Sequence, residues 1–360
     1  MTAVIEKLRV RQAVVPLARP LKVSSGAVEA APFALVDVTI SGGAEGRCCL
    51  FTYTPLALRA VAALIEDFGA TLIGAPAAPL DVEAGLMGKL RLLGREGLAT
   101  MAVAGLDMAL WDARARAAGL PLCRLLGAEP RPIRAYNSNG LGLGGAAAVA
   151  AEGPELLAGG FEAMKLRLGY PTLAEDVAVF RALRDAVGPD VAIMVDYNQG
   201  LSVGEARRRA TAIAEFDPVW LEEPVRHDDP EGSARVRSGS SVPIQLGENW
   251  WGPRDMAASL AAGAGDLAMP DAMKIGGVTG WMRAAALAEA ADAPVSSHLF
   301  PEVSVHLLCA TPTADWLEYV DWAAPILQDP PTPLNGALAP NETPGTGIDW
   351  DETAIARYAV

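Results

Sequence analysis

The sequence predicts an α/β protein, a modified (β/α)8 TIM barrel preceded by an α+β capping domain. Short strand-like and helix-like segments alternate through residues 131–322, and ionisable residues stand at the ends of the strand-like segments. Residues 1–130 instead have strand-like segments first and helical ones afterwards, the order typical of a separate α+β domain. Residues 323–360, rich in Pro, Gly and Asn, are expected to pack back on the capping domain.

The capping domain is predicted from its changes of periodicity. Leu8 and Val10 alternate with basic residues, and residues 33–40 form a β-branched run, so each stretch predicts a strand. Residues 19–31 between them are rich in Pro, Ser, Gly and Ala and are expected to form a mobile loop. From residue 55 to residue 126 the pattern is helical.

The barrel strands are predicted from short apolar runs separated by helical segments, of which residues 176–187 have a clear apolar face. The predicted strands cover residues 133–136, 163–168, 192–196, 219–222, 244–248, 267–271, 295–298 and 316–319. Parallel barrel strands bring their C-terminal ends to one mouth. The ionisable residues at those ends are Lys165, Arg167, Asp196, Glu222, Glu248, Asp271, His298 and Glu318. Ordinary packing does not require charge there, so the sequence predicts the functional site at this mouth.

Three of these carboxylates stand at equal intervals, each just after an apolar run. Twenty-six residues separate Asp196 from Glu222, and the same interval separates Glu222 from Glu248, about the length of one strand and its returning helix. With no Cys or His at matching positions, three converging carboxylates indicate a hard divalent cation such as Mg²⁺. The spacing by itself also allows three unrelated surface carboxylates.

The composition excludes several classes of function. A formal net charge of −14 makes nucleic acid an unsuitable partner, whereas a small anionic substrate is compatible with a bound dication. The apolar stretch at residues 97–119 is interrupted by charged side chains, so no membrane span is expected. Four cysteines without a disulfide framework and an N-terminus without a secretory pattern predict a cytoplasmic protein.

Several short motifs, in order and at barrel spacing, carry a resemblance to a known family. The motifs are Val195-Asp196-Tyr197-Asn198-Gln199, Glu222-Glu223-Pro224, Gly247-Glu248-Asn249-Trp250, Met269-Pro270-Asp271-Ala272-Met273-Lys274 and Ser296-Ser297-His298-Leu299-Phe300. With them the whole chain resembles the enolase superfamily and, within it, the mandelate racemase subgroup. The resemblance implies a capped barrel, a bound Mg²⁺, abstraction of a proton α to a carboxylate, and assembly into a homo-oligomer.

The resemblance also implies a role for each residue at the barrel mouth. Asp196, Glu222 and Glu248 match the metal ligands. Asp271 and His298 match a dyad in which the carboxylate orients the imidazole as a general base or acid. Lys165 and Glu318 match groups that hold the substrate carboxylate, and Glu318 needs a raised pKa to do so in its protonated form. Asn198 is expected either to touch the substrate or to support Asp196.

Arg167 departs from the family pattern, which has lysine at this position as the base on the face opposite the histidine. A guanidinium is essentially always protonated, so it is a good oxyanion clamp and a poor base. Arginine at this position therefore disfavours racemisation by two bases.

Substrate specificity is expected from the capping domain. Apolar positions that match the family's substrate pocket are Leu21, Val28, Phe51, Tyr53, Leu299 and Val320. They favour an aryl or apolar 2-hydroxy acid, although core packing explains apolar residues equally well. Lys22, Ser24 and Ser25 make the same segment more polar and leave room for an acid sugar.

Together these observations predict a Mg²⁺-dependent, racemase-like enzyme that removes the α-proton of a 2-hydroxy carboxylate, with His298 as the base. A sugar-acid dehydratase that uses His298 as its single acid and base is the alternative, and it accommodates Arg167 more easily. A barrel that binds metal and ligand without catalysis is a third possibility from a different class.

Overall fold

The capping sheet is formed by three antiparallel strands. The computed structural model describes residues 3–23 and 26–360, and in it β1 (Ile5–Val23) pairs with β2 (Gly26–Ile40), which pairs with β3 (Glu45–Phe51). In β1 every second residue from Ala13 to Leu17 is buried, as expected for a strand with one face on a core.

The expectation of a mobile loop at residues 19–31 is wrong for the residues that the structure describes there, because residues 19–23 belong to β1 and residues 26–31 to β2. Leu21 faces Val28 across the two strands, and a register shift between Pro16 and Leu21 accommodates the prolines. Backbone pairing and burial of Leu21 outweigh the turn-forming composition that suggested a loop. Ser24 and Ser25 lie outside the described residues.

Four helices complete this part of the chain. They are α1 (Pro55–Ala70), α2 (Pro79–Lys89), α3 (Leu98–Ala118) and α4 (Leu122–Leu125). The helix α3 is buried along most of its length, which explains its apolar sequence. It packs closely on β3 at Gly46, where a Cβ atom would stand only 2.0 Å from the carbonyl oxygen of Ala109.

The second sheet is a curled layer of parallel strands that forms the barrel. Its strands are β4 (Ile133–Asn137), β5 (Ala163–Arg167), β6 (Ala192–Asp196), β7 (Leu221–Glu222), β8 (Ile244–Leu246), β9 (Leu267–Ala268) and β10 (Leu317–Tyr319). The spatial order is β10-β4-β5-β6-β7-β8-β9. The predicted strand at residues 295–298 is reduced to single bridges, in which Val295 pairs with Ala268 and with Ala314. The two-residue strand β11 (Ala337–Leu338) adds antiparallel to β4.

Helices lie between the barrel strands and at the C-terminal end. They are α5 (Ala146–Glu152), α6 (Leu173–Val187), α7 (Val203–Ile213), α8 (Pro230–Arg237), α9 (Pro253–Ala261), α10 (Gly277–Ala290), α11 (Pro301–Cys309) and α12 (Glu352–Tyr358). Short 3₁₀ turns cover Gly153–Leu157, Ala214–Phe216 and Ala324–Ile326. The helix α6 begins three residues before its predicted start, because Thr172 and Glu175 form a capping box there.

The C-terminal segment is attached to the capping sheet and to α3 by buried polar contacts. The indole of Trp350 donates to Asp37 on β2 at 2.6 Å, and the Thr346 hydroxyl donates to Asp112 on α3 at 2.9 Å. Arg116 donates to the carbonyl of Ile348 at 2.7 Å. Within residues 3–23 and 26–360, none of the helices combines the length and apolarity needed to cross a bilayer.

Candidate active site

Three carboxylates meet at the C-terminal ends of adjacent strands. Asp196 ends β6, Glu222 ends β7, and Glu248 lies two residues beyond β8; one oxygen of each lies within 4.8 Å of the others. Parallel pairing of β6 with β7 and of β7 with β8 brings them to the same mouth. The backbone N–H of Asn198 and its side-chain amide hold Asp196, at 2.7 and 2.9 Å.

The charge balance of this cluster fits a hard dication. All three carboxylates are buried. Burial raises the pKa of Glu222; Lys165 lowers it, but Asp196 and Glu248 raise it further, so the net shift is well upward. Burial raises the pKa of Glu248 too, but His298, Lys274 and Lys165 outweigh burial and lower it. Among the described residues, the one ammonium that contacts the cluster directly is that of Lys165, so three buried carboxylates are short of positive charge. An all-oxygen donor set of this kind suits Mg²⁺.

Lys165 links the metal-ligand cluster to Glu318. Its ammonium lies 2.7 Å from Glu222, 2.6 Å from Glu318 and 3.4 Å from Asp196. Burial lowers the pKa of Lys165, but these carboxylates outweigh burial and raise it above its usual value. The side chain is therefore a fixed positive charge in the middle of the site.

Asp271 and His298 form the predicted dyad. Nδ1 of His298 lies 2.7 Å from Oδ2 of Asp271, whose other oxygen accepts the N–H groups of Met273 and Lys274 at 2.8 and 2.9 Å. This arrangement favours the tautomer that carries its proton on Nδ1 and leaves Nε2 facing Glu248, 3.4 Å away. Burial lowers the pKa of His298, whereas Glu248, Glu318 and Asp271 raise it, with a net upward shift.

The raised pKa expected of Glu318 concerns the substrate complex, and in the structure the neighbours of this carboxyl favour its ionised form. Oε1 accepts from Lys165 and, at 2.7 Å, from the Ser138 hydroxyl, and Oε2 accepts the N–H of Leu299 at 2.8 Å. Burial raises the pKa of Glu318, but Lys165, His298 and the Leu299 N–H lower it to about 2. Donors on both oxygens stabilise the ionised form.

Arg167 lies at the same mouth, and its guanidinium binds the loop that follows β4. One terminal nitrogen donates to the carbonyls of Ser138 at 3.0 Å and Gly140 at 2.7 Å, and the other donates to the Ser138 hydroxyl at 2.9 Å. The expected role as an oxyanion clamp therefore competes with protein acceptors, all of which lie in the loop after β4.

Five of the six residues of the expected apolar pocket fall into two groups, and Tyr53 stands apart from both. Phe51 and Leu299 line a small cavity of about 20 Å³ together with Val320 and Trp322. A volume of this size holds about one water molecule and is far too small for an aromatic ring. Leu21 and Val28 instead face each other on the capping hairpin, with Leu21 next to Gly142.

Tyr53 covers a buried lysine at the edge of the site. The ammonium of Lys274 lies 4.3 Å from the centre of the Tyr53 ring and donates to the Asn249 side chain at 2.6 Å. Asn249 in turn donates to Glu248 at 3.2 Å and to Glu223 at 2.7 Å. This chain of contacts joins the capping domain to a metal ligand.

Ser138 and Trp322 were missed by sequence reasoning. Ser138 immediately follows β4, so the rule that functional groups stand at strand ends could have found it. Trp322 packs its ring against Phe51, with ring centres 5.1 Å apart. It lies beyond the last barrel strand, and no sequence signal marks this contact.

Comparisons with known proteins agree with this geometry. Residues 5–127 match the family model described as mandelate racemase / muconate lactonizing enzyme, N-terminal domain, and residues 147–354 match enolase C-terminal domain-like. A solved Bradyrhizobium enolase complexed with magnesium and mandelic acid is 44% identical, with a TM-score of 0.95 and coverage of 100% of this chain and 99% of that one.

Two curated relatives act on sugar acids according to their names. A 3,6-anhydro-alpha-L-galactonate cycloisomerase of Streptomyces coelicolor is 33% identical over 91% of this chain and 92% of its own length. An L-talarate/galactarate dehydratase of Salmonella typhimurium is 32% identical over 73% of this chain and 66% of its own length.

A capped barrel with an acidic Mg²⁺ site and an Asp–His dyad at its mouth defines the class as metal-assisted enzymes of the enolase superfamily, whose relatives here are isomerases and lyases. Within that class, the chain belongs to the mandelate racemase / muconate lactonizing enzyme family.

Proposed function

We propose that the protein abstracts the α-proton of a 2-hydroxy carboxylate, with His298 as the base. One observation carries the proposal: Asp271 holds one imidazole nitrogen at 2.7 Å while the other nitrogen lies 3.4 Å from the cluster carboxylate Glu248. An oriented base is thus adjacent to the three carboxylates suited to hold a metal ion that would bind the substrate. Proton transfer by a base positioned in this way contributes about 10²- to 10⁴-fold to a rate.

The developing negative charge would be met by groups that are already in position. Asp196, Glu222 and Glu248 would hold Mg²⁺, which when bound supplies positive charge next to the substrate carboxylate. The buried ammonium of Lys165 would bind that carboxylate. It would do so either by breaking its ion pair with Glu318 or by donating to both carboxylates at once. Glu318 would then lose the ion pair with Lys165. Its pKa would rise, and the protonated form would become favoured.

We further propose that the outcome is an elimination, which needs one acid and base. His298 would take the α-proton from carbon, a double bond would form as the β-oxygen leaves, and the same proton would pass to that oxygen. With a hydroxyl as the leaving group, the products are water and an enol that becomes a 2-keto acid. Arg167 supports this outcome, because its terminal nitrogens are engaged with Ser138 and Gly140. The sugar-acid names of the cycloisomerase and dehydratase relatives support the same substrate class.

Racemisation of an apolar 2-hydroxy acid is the second candidate. It is favoured by the apolar side chains of Phe51, Leu299 and Trp322 beside the site and by the relative solved with mandelic acid. It requires a second base in place of the lysine that the family pattern has where this chain has Arg167. It also requires a larger cavity than the one beside Phe51. The homo-oligomeric state and the cytoplasmic location stay predictions.

A screen of acids in deuterated water with Mg²⁺ tests the proposal. The library includes galactarate, D-gluconate and mandelate, and the readouts are α-deuterium in the recovered acid, optical rotation, and 2-keto product trapped with semicarbazide. A keto product that depends on His298 supports elimination, and loss of rotation without a keto product supports racemisation. If no acid is converted or exchanged, the catalytic proposal fails and a silent ligand-binding barrel is the better account.

A further inference from the structure

The guanidinium of Arg167 makes three hydrogen bonds, and all of them go to the loop that follows β4. The acceptors are the carbonyls of Ser138 and Gly140 and the hydroxyl of Ser138, at 3.0, 2.7 and 2.9 Å. The side chain is only 5% exposed, so these bonds form in a site from which solvent is largely excluded. Buried charge-assisted hydrogen bonds are stronger than neutral ones and define geometry well.

The Ser138 hydroxyl connects this guanidinium to Glu318. A hydroxyl has one proton to donate and lone pairs to accept with. Because its oxygen accepts from Arg167, which has no acceptor, its own proton is directed to Oε1 of Glu318, at 2.7 Å. Arg167 therefore determines the direction in which Ser138 donates.

The same loop also contacts β1 near the C-terminal end of that strand. The N–H of Leu143 donates to the carbonyl of Lys22 on β1 at 2.8 Å, and the N–H of Arg167 itself donates to Leu141 at 3.1 Å. Arg19 on β1 pairs with Glu152, which accepts the N–H of Leu141 at 2.8 Å. Fixing residues 138–143 thus fixes the attachment of the capping domain to the barrel mouth.

We infer that Arg167 is a positioning residue that holds the loop at residues 138–141 and aims the Ser138 hydroxyl at Glu318. Where the family pattern has a base, Arg167 instead connects the capping hairpin to Glu318, the carboxyl proposed to face the substrate. The kinetic part of this inference rests on the proposed function, because it requires Glu318 to act on the substrate. The structural part, which concerns the loop at residues 138–141 and the direction of the Ser138 hydroxyl, does not rest on the proposed function.

A lysine at this position would lack the required geometry. The planar guanidinium offers several N–H groups in fixed directions and reaches three acceptors at once. An ammonium is a single nitrogen on a shorter-reaching head group and cannot span the same set. Arg167→Lys is therefore expected to behave as a loss of positioning, although it conserves the charge.

Hydrogen–deuterium exchange of the Mg²⁺-loaded protein tests the structural part without any substrate. Arg167→Met and Arg167→Lys are expected to raise exchange roughly tenfold at residues 138–143 and at the Leu299 amide. Ser138→Ala is expected to raise it at Leu299 only, because its backbone carbonyl still binds Arg167. Arg209→Lys is the matched control: it alters a buried barrel arginine whose partners are Asp176, Glu205 and the carbonyl of Tyr170. Unchanged exchange at residues 138–143 in both Arg167 variants would overturn the inference.

A double-mutant cycle tests the kinetic part on whichever acid the screen identifies. Arg167→Met is expected to lower kcat roughly 10²-fold, with a smaller change in KM, as for other losses of positioning. Ser138→Ala added to Arg167→Met is expected to lower kcat little further, because both changes break one connected unit. Multiplicative losses would contradict action through Ser138. If the parent protein converts no acid, the proposed function fails, while the exchange experiment still decides the structural role.

Discussion

The Lys165 ammonium lies 2.6 Å from Oε1 of Glu318, and both side chains are at least 98% buried. The same ammonium lies 2.7 Å from Glu222, so one lysine neutralises carboxylates on two sides of the site. Substrate binding must rearrange this pairing, since a substrate carboxylate would compete with Glu318 for the same protons. The site therefore has an ammonium in place for an anionic substrate and a carboxylate cluster in place for a metal cation.

Lys165→Met is expected to destabilise the metal-free protein by about 3–5 kcal/mol, because it leaves buried carboxylates without their counter-charge. Urea unfolding in EDTA measures the effect. Added Mg²⁺ is expected to recover part of the loss by supplying positive charge to the same carboxylates. Lys89→Met, on the exposed face of α2, is the control and is expected to change little. An unaltered unfolding midpoint in Lys165→Met would contradict the central position of this ammonium.

Mg²⁺ is expected to stabilise the folded protein through Asp196, Glu222 and Glu248. At a free concentration about 100 times its Kd, one bound ion adds about 2.7 kcal/mol to the free energy of unfolding. Thermal unfolding with and without EDTA measures this. The stabilisation is expected to be largely lost in Asp196→Asn, which removes one ligand charge, and to be kept in Asp185→Asn, on the exposed side of α6 and outside the carboxylate cluster. Equal stabilisation of both variants would remove Asp196 from the metal site.

Glu302, at the start of α11, is expected to make stability depend on pH. Burial raises its pKa from 4.5 to about 7, and its own backbone N–H only partly offsets this. A raised pKa means that the folded state binds a proton more tightly than the unfolded chain. The stabilisation is therefore full below pH 4.5 and is lost as the pH rises through about 7.

The shift corresponds to roughly 3 kcal/mol across that window, at about 1.4 kcal/mol for each unit of pKa. Glu302→Gln is expected to flatten the fall in unfolding free energy between these pH values, whereas Glu66→Gln, on the exposed side of α1, leaves it unchanged. Parallel pH profiles for Glu302→Gln and the parent protein would show that this carboxyl is not the source.

Two glycine substitutions are expected to have opposite effects on stability. Gly46→Ala would put a Cβ atom 2.0 Å from the Ala109 carbonyl, so α3 must move from β3 and the free energy of unfolding falls by about 1–3 kcal/mol or more. Gly85→Ala, in the interior of α2 with nothing within 4 Å, is expected to raise it by roughly 0.5–1 kcal/mol. Chemical denaturation measures both. A neutral Gly46→Ala would mean that the contact between α3 and β3 is adaptable.

The barrel and its cluster of three carboxylates were predictable because they depend on local patterns. Asp196, Glu222 and Glu248 each follow an apolar run, and the repeat of one strand and one helix places such positions side by side. The pairing of Asp271 with His298 followed from the same rule and is present at 2.7 Å. Strand existence was easier to predict than strand length, since β7 and β9 are only two residues long.

The contacts that the sequence could not reveal are those made by tertiary neighbours. The partners of Arg167 are two backbone carbonyls and one hydroxyl in a loop 27 to 29 residues away, and no residue pattern encodes them. The ionised state of Glu318 depends on donors from Lys165, Ser138 and Leu299, which come from three separate segments. Residues 19–23 and 26–31 form paired strands in which Leu21 is buried, despite a composition typical of loops.

Removal of the α-proton of a 2-hydroxy carboxylate by His298 is measured by proton NMR in deuterated water with Mg²⁺. Parent protein, His298→Asn and His227→Asn, a control histidine in an exposed loop, are each incubated with an acid that the parent converts. We expect the α-proton signal to disappear, by exchange or by formation of keto product, with the parent and with His227→Asn, and to persist at least 10²-fold longer with His298→Asn. Loss of the α-proton at the parental rate in His298→Asn would contradict the account.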